Sequence, residues 1–561
     1  MKNQIFSALS KATGEKHVYL EFPENVKHGD CSTNIAMIVA KKKGLKPIEY
    51  ANEIVGKLKK DSSLDQLVAK IEAIEPGFIN FFLSNDLLSS SLAEIIEKKE
   101  KYGSSDLGNG KTVVIDYSSP NIAKHFGIGH LRSTIIGQAI CNLHDFTGYK
   151  VVGDNHLGDW GTQFGTLLYQ ISSKSLDAKE LSINDLEKLY VEFNKEADEN
   201  PELWDKARGW FKKLEEGETE AQNIWETIVE TSKKEFKRIY EILGVNFDCE
   251  NGESFYQDKM QAVIDEIREK KLSKESQNAE IVEFKDMPPA ILLKSDGATT
   301  YFTRDLATIK YRLGEWSPEK MIYEVGSEQK LHFRQVFEAA RLLGWIKDEE
   351  LIHIAHGLIR FKEGKMSTRK GLGIKLEDVL DEAIKRAKQV IDKSETGRGL
   401  PEKEIERVVN MVGIGAIKYF DLSHQYSSDI IFDWEKLFVL EGNSAPYLQY
   451  TIARTNSILQ KAEKGAENKQ AKKEDFNKEE QILIRTLVRF PEIIIGATKN
   501  YSPNLICNYL FDLAQKYNAF YNQHRIIGGE NEKLRIELTM STGQVLRNGL
   551  KLLGIESPER M

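Results

Sequence analysis

The spacing of apolar residues changes several times along the chain, and each change marks a different kind of element. Around Ile54 and Leu58 the apolar positions follow a helical period. Gly77-Phe78-Ile79-Asn80-Phe81-Phe82-Leu83 is instead aromatic and β-branched, as a strand is. Turn formers from Gly103 to Gly110 close this first region. Thr112-Val113-Val114-Ile115-Asp116-Tyr117 is short and apolar, the signature of a buried strand, and Tyr149-Lys150-Val151-Val152 reads as the next one. Between them Leu131, Ile135, Ile136, Ala139 and Leu143 predict a helix from about Gly129 to Phe146. Strand, helix, strand at this length is a βαβ unit and implies a parallel, doubly wound sheet.

Further along, from about Leu167 to Pro288, the pattern is helical and highly charged, like an insertion. Strand-like pieces return at Ala290–Lys294, Met321–Val325 and Leu351–Ile354. From about Pro401 the period is helical to the end. Ile405, Val408, Val409, Val412, Ala416, Ile417 and Phe420 form one stripe, and Leu510, Leu513, Tyr517, Phe520 and Tyr521 form another. Lys461 to Glu480, between the two, is charged and apolar-poor, an exposed helix end or a loop.

Composition narrows the class. A chain of 561 residues is too long for one hydrophobic core. Its 40% hydrophobic and 29% charged residues are ordinary for a water-soluble protein. Cys31, Cys141, Cys249 and Cys507 lie far apart, so neither a zinc ribbon nor a disulfide framework is expected, and a reducing compartment suits them. No signal peptide and no apolar run of about 18 residues is visible, so the expectation is a cytoplasmic protein without a membrane span. The net charge of -8 does not advertise a polyanion binder, but it says nothing of local basic patches.

Two segments carry candidate chemistry. The first runs from Ser118 through Gly127-Ile128-Gly129-His130 to Thr134, between the first strand and its helix, where parallel sheets bind ligands. Glycines let a nucleotide approach the backbone, a helix N-terminus offers N–H groups to phosphate, and His130 can donate to an oxygen gaining charge. Taken alone, the tetrapeptide also reads as a glycine turn with a helix-capping His. The second segment is Gly364-Lys365-Met366-Ser367-Thr368-Arg369-Lys370-Gly371, cations bracketed by glycines, which suits a loop that closes on a polyphosphate or simply an exposed basic loop.

Together the segments resemble the His-x-Gly-His and Lys-Met-Ser-Lys-Ser signatures of class I aminoacyl-tRNA synthetases. Ser118-Ser119-Pro120-Asn121-Ile122-Ala123-Lys124, Asp154 to Gly165, Tyr301 to Ala307, Val325 to Phe333, His356-Gly357-Leu358 and Pro558-Glu559-Arg560-Met561 are similar to arginyl-tRNA synthetases in particular. The likeness spans nearly the whole chain. Gly127 stands where that family usually has the first His, and Thr368-Arg369 stands where the class has Lys-Ser. Rival readings are another class I synthetase, a nucleotidylyltransferase, or a synthetase-like RNA-binding protein without catalysis.

The resemblance implies an α/β chain: a Rossmann-like catalytic domain with a doubly wound parallel sheet, a small α+β amino-terminal domain and an all-α carboxyl-terminal domain. The expected divisions are 1–108, 109–170 with 289–375 for the catalytic domain, 171–288 for a helical insertion, 376–400 as a connection and 401–561 for anticodon binding. It implies His130 and Lys365 as catalytic groups, with Gly127, Gly129, His356, Gly357, Met366, Ser367, Arg369 and Lys370 around ATP. Asp116, Asn121, His156, Tyr301, Asp305 and Gln329 are implied around arginine, whose guanidinium is always charged and needs carboxylates and planar acceptors. On its own, Asp305 reads as a salt-bridge partner, Asp116 as a polar strand end, and Trp160 and Asp159 as core and turn. His332 faces the pocket or is structural. Asn80, Phe82, Tyr447, Tyr450, Tyr509 and Met561 are the candidates for tRNA contact, although aromatics at helical spacing are more often core. The implied partners are tRNA(Arg), ATP and L-arginine, with Mg²⁺ accompanying ATP, no structural metal, and a monomeric chain.

Overall fold

The apolar runs form a four-stranded parallel sheet whose strand order decides where a ligand can enter. A computed structural model of the chain describes residues 2–23, 26–361, 374–393, 399–464 and 476–561. Thr112–Asp116 lies inside the sheet, parallel to Lys150–Asp154 on one side and to Lys320–Gly326 on the other. Glu350–His356 pairs in parallel with the outer side of Lys320–Gly326. The chain therefore builds outward in one direction, returns, and builds in the other, so the order reverses between Thr112–Asp116 and Lys320–Gly326. Crevices that bind ligands open at such a reversal, beyond the carboxyl ends of the strands. Val113, Val114 and Ile115 are all fully buried, which fits a strand covered on both faces.

The helix Gly129–Phe146 lies against this strand so closely that Gly137 admits no side chain. A Cβ placed there would stand 2.3 Å from the Tyr117 side chain. The returning helix Tyr301–Trp316 buries Phe302, Leu306, Ala307 and Ile309 in a cluster with Val114, Met321 and Tyr323 of the sheet.

The charged stretch after the second strand is helical, as its period predicts, with Ile183–Glu199, Glu202–Glu215 and Thr219–Leu243 as its main helices. Ser182 and Asp185 cap the first of these reciprocally, and Gly244, left-handed at φ 59°, ends the last. Two expectations need correction. The end of the stretch is not helical: Ser273–Ser276 and Ala279–Val282 form an antiparallel hairpin. Its turn residues Gln277 and Asn278 have φ of 51° and 62°, the paired positive angles that a tight two-residue hairpin uses. Ala290–Leu293 joins this hairpin rather than the parallel sheet. Ile291 remains 47% exposed, as in a strand with one solvated face.

By density of contacts the chain divides into two units that do not follow sequence order. One comprises Ser104–Tyr450, Ile494–Asn508 and Gly549–Met561 and holds the parallel sheet. The other comprises Met1–Gly103, Thr451–Ile493 and Tyr509–Asn548. Its sheet places Phe78–Leu83 between Cys31–Thr33 and Val68–Ile74, all antiparallel. Ile5, Leu9, Ile35, Val39, Ile54, Ile71, Ile79 and Phe81 share its core. Asp30 ties the sheet to the helix Lys478–Val488: it accepts the Leu83 N–H at 2.7 Å and meets Arg485 at 2.9 Å. Residues 465–475, the middle of the charged stretch before that helix, lie outside the described residues.

Gly137→Ala is expected to destabilise the chain by about 1–3 kcal/mol through overpacking. Gly209→Ala, in a helix interior with nothing within 4 Å of the new Cβ, is expected to be neutral or stabilising by about 0.5–1 kcal/mol. Thermal unfolding of both variants checks the pair; equal midpoints would contradict the close packing.

Candidate active site

The turn leaving the central strand is strained and is held from outside. Ser118, Ser119 and Ala123 have φ of 70°, 47° and 61°, a left-handed backbone that costs residues other than glycine about 1–3 kcal/mol each. Partners far along the chain offset this. Ser118 N–H donates to Ser133 Oγ at 2.9 Å, Ser119 N–H to Asn155 Oδ1 at 3.1 Å, and Ala123 N–H to Ser232 Oγ at 3.0 Å. These bonds fix the turn over the start of the helix that carries His130.

His130 sits in the first turn of that helix. Gly127 N–H donates to its Nδ1 at 3.3 Å. The neutral ring therefore carries its proton on Nε2, leaving that N–H as the donor. Burial holds the imidazole below its ordinary pKa and so favours this neutral form. Gly127 thus contributes through its backbone, and the space around it does not demand glycine: a Cβ would meet nothing closer than 3.7 Å.

Several carboxylates of the cleft meet a cationic side chain of the protein. Arg312, fully buried, donates to Asp116 Oδ2 at 2.6 Å and to Asp154 Oδ2 at 2.8 Å. Ser119 Oγ donates to the other Asp116 oxygen at 3.0 Å. Arg304 Nη1 lies 3.1 Å from Glu253, whose carboxyl is pushed up to about 7 by burial despite that neighbour. His332 Nε2 lies 2.5 Å from Asp305 Oδ2. Burial raises the Asp305 carboxyl, but the His332 hydrogen bond and the charges of His332, His156 and Arg304 outweigh it and hold the group below its ordinary value. His356 Nδ1 lies 2.9 Å from Glu324. Burial opposes a charge on His356, yet the buried Glu324 wins and raises its pKa.

One cavity of about 600 Å³ collects nine of the residues singled out from the sequence, including all six implied around arginine. Asp116, Asn121, Gly129, His130, His156, Tyr301, Asp305, Gln329 and His356 all line it. Gly127 and Gly357 lie beside it and shape the backbone. A Cβ on Gly357 would stand 2.5 Å from Ser428, and the buried Arg132 donates to Gly357 O at 2.8 Å and to Ser428 O at 2.7 Å. Lys365, Met366, Ser367, Arg369 and Lys370 lie outside the described residues. The chain just after them is described: Ile128 N–H donates to Ile374 O and Leu376 N–H to Phe126 O, both at 2.9 Å. Ile374 to Leu376 therefore runs against the loop that leads into His130.

Sequence reasoning left out Glu253, Tyr323 and Glu324, which line the cavity, and Arg312 behind Asp116. Glu253 is brought in by backbone pairing of its N–H to Leu157 O at 2.9 Å, and no local pattern announces it. The residues proposed for tRNA contact scatter. Tyr450 is exposed, and Phe82 and Tyr447 are partly buried. Asn80, Tyr509 and Met561 are buried; Asn80 Oδ1 accepts from Ser32 at 2.8 Å, and Tyr509 OH donates to Thr486 O at 2.9 Å. Among the described residues no group of three or more His, Cys, Asp or Glu is placed to hold a metal, and no helix is long and apolar enough to cross a membrane.

A reversal-point cleft with a Gly-x-Gly-His helix start and acidic residues in its lining defines a catalytic domain of the class I synthetase type. Comparison with known proteins agrees. The model for tRNA synthetases class I (R), catalytic domain, matches residues 91–434; that for the DALR anticodon binding domain matches 448–561; that for the arginyl tRNA synthetase N terminal domain matches 1–83. The arginine–tRNA ligase of Fusobacterium nucleatum is 42% identical over 557 residues, 97% of this chain and 96% of its own. That of Exiguobacterium sibiricum is 42% identical over 99% of this chain and 98% of its own. The crystal structure of arginyl-tRNA synthetase from Plasmodium falciparum superposes with a TM-score of 0.85 at 27% identity, covering 100% of this chain and 98% of its own. The chain belongs to the arginyl-tRNA synthetase family, and it is a ligase of class I.

The Glu253 environment gives a stability test. Its folded-state pKa of about 7 exceeds the ordinary 4.5, so between those values the folded state holds the proton more tightly than the unfolded chain does. Stability from this group is therefore present at low pH and is lost as pH rises through about 7. Glu253→Gln is expected to flatten the decline of the thermal midpoint between about pH 4.5 and pH 7. An unchanged slope in the variant would contradict a buried, protonated Glu253.

Proposed function

We infer that the chain is an arginine–tRNA ligase that activates L-arginine with ATP to arginyl-adenylate and then transfers arginine to the terminal ribose of tRNA(Arg). Pyrophosphate leaves in the first step and AMP in the second. The observation that carries this reading is the single cavity in which the His130 helix start faces Asp116, Asp305, Tyr301 and Gln329. A phosphate-binding end and a cation-binding end then share one space.

In this reading the arginine guanidinium lies against Asp305, with Tyr301 at the mouth, Gln329 orienting its planar fork and the charge of Asp116 behind. Asn121 and His156 border the α-amino and carboxylate end. The substrate carboxylate attacks the α-phosphorus of ATP, with the Nε2–H of His130 meeting the charge that develops on phosphate oxygen. His356, Gly129, Gly127 and Gly357 border the nucleotide. Lys365, supported by Met366, Ser367, Arg369 and Lys370, brings cations to the departing pyrophosphate; the return of the chain at Ile374 beside Ile128 supports that placement. No protein nucleophile enters the reaction: positioning and electrostatics supply the catalysis.

Mg²⁺ travels with ATP as part of the substrate. Asp116, Glu253, Asp305 and Glu324 already meet cationic side chains, so phosphate oxygens and water are left to supply its ligands. The helical carboxyl-terminal part contacts the anticodon, a role supported by the match to an anticodon binding domain over 448–561; Tyr450 offers an exposed ring for stacking. The four free cysteines suit a reducing cytoplasm.

ATP–pyrophosphate exchange in the presence of tRNA tests the reading. His130→Ala is expected to lower the exchange rate about 10²–10³-fold with little change in KM for arginine. Asp305→Asn is expected mainly to raise KM for arginine. Wild-type turnover in the first variant, or wild-type KM in the second, would overturn the corresponding assignment.

A further inference from the structure

A pocket for arginine must present net negative charge to the guanidinium, yet Asp305 faces its own potential cation when no arginine is present. His332, on the helix Lys330–Leu342, lines the same cavity and holds Asp305 Oδ2 at 2.5 Å through Nε2. Among the described residues no other group hydrogen-bonds that carboxylate, and Oδ1 is left for a ligand. Both side chains are partly open, at 25% and 22% exposure, so a proton on the ring can exchange with solvent. We propose that His332 is a proton-linked positioning residue for arginine: its imidazolium neutralises Asp305 in the empty pocket, and binding of the substrate guanidinium expels that proton. The proposal rests on Asp305 being the guanidinium partner, as inferred above.

The charge arithmetic is simple. Guanidinium is permanently protonated, so it meets Asp305 favourably only when the Asp305–His332 pair is an anion. With an imidazolium the pair is neutral, and two cations would crowd one carboxylate. The proton that leaves is the one on Nδ1, because Nε2–H keeps its bond to Asp305; it passes to solvent, and His332 stays as a neutral donor that orients the carboxylate. Burial opposes a charge on His332, but the hydrogen bond and charge of Asp305 prevail and raise its pKa. The charged and titratable neighbours facing the pair are His156, Glu253, Tyr301, Arg304 and Tyr323. Phe333 covers the ring on its own helix and also touches His353 of the fourth strand. Glu253 is a competitor, since its carboxyl near 7 would also lose a proton beside a bound cation.

Isothermal titration of L-arginine into the full chain, in buffers of different ionisation heat from about pH 6 to about pH 8.5, reads the coupling. The wild type is expected to release a proton on binding at the acidic end. Its affinity is expected to tighten by up to about tenfold per pH unit below the His332 pKa and to level off above it. H332Q and H332N, which keep an N–H donor without a titrating ring, are expected to bind with a weaker pH dependence and a smaller release than the wild type, while E253Q, which removes the competing carboxyl, keeps the part of the release that depends on His332. Undiminished release in both His332 variants, or release lost in E253Q alone, overturns the proposal. D305N separates the two levels. Loss of arginine binding in D305N supports the pocket, so that a negative His332 result then sinks only the proton coupling; unchanged binding in D305N removes the pocket assignment and the coupling with it.

Discussion

The architecture depends on keeping carboxylates poised for a permanent cation without letting them destabilise the empty protein. Unpaired buried carboxylates cost several kcal/mol or lose their charge by protonation. This chain answers each acid of the cleft with a resident cation, and the answers differ in kind. Arg312, fully buried between Asp116 and Asp154, is a fixed structural partner tying the ends of two adjacent strands together. Arg304 beside Glu253 leaves a carboxyl that burial still holds near 7. His332 beside Asp305 is the partner whose charge can be withdrawn, and it lines the cavity with its ring partly open to solvent.

The phosphate end follows a different logic, based on backbone. Three residues in left-handed conformation turn the chain sharply off the central strand, and the hydrogen bonds that their N–H groups donate to Ser133, Asn155 and Ser232 hold them there. Gly137 lets the following helix lie directly on Tyr117. The result is a helix start whose first histidine has its tautomer set by a neighbouring N–H. Because Arg132 on the same helix grips Gly357 and Ser428, the helix start and the exit of the fourth strand form one rigid frame.

Much of this frame was legible in the sequence. The four parallel strands and the helix Gly129–Phe146 announce themselves because their apolar periods are local. The lining residues from Asp116 to Gln329 were found because the motifs containing them are contiguous. What stayed hidden depends on distant contacts. Glu253 reaches the cavity through pairing with Leu157, and Arg312 looks like one more charge on an amphipathic helix until Asp116 and Asp154 surround it. The hairpin at Gln277-Asn278 was lost in a charged stretch that otherwise reads as helix. Asp159, which reads as a turn former, is buried and accepts both N–H and Oγ–H of Ser254 at 2.7 Å. Trp160 is packing, as its composition suggests, against Phe211 and Trp225.

Recognition by charge, rather than by shape, is what the paired carboxylates imply. The most direct measurement is ATP–pyrophosphate exchange with arginine set against citrulline, its neutral near-isostere, in the presence of tRNA. Recognition of the cation predicts at least about 10³-fold lower kcat/KM for citrulline, because citrulline brings no charge to Asp305 and lacks the guanidinium donors that the site is built to accept. Comparable rates for the two amino acids would contradict it.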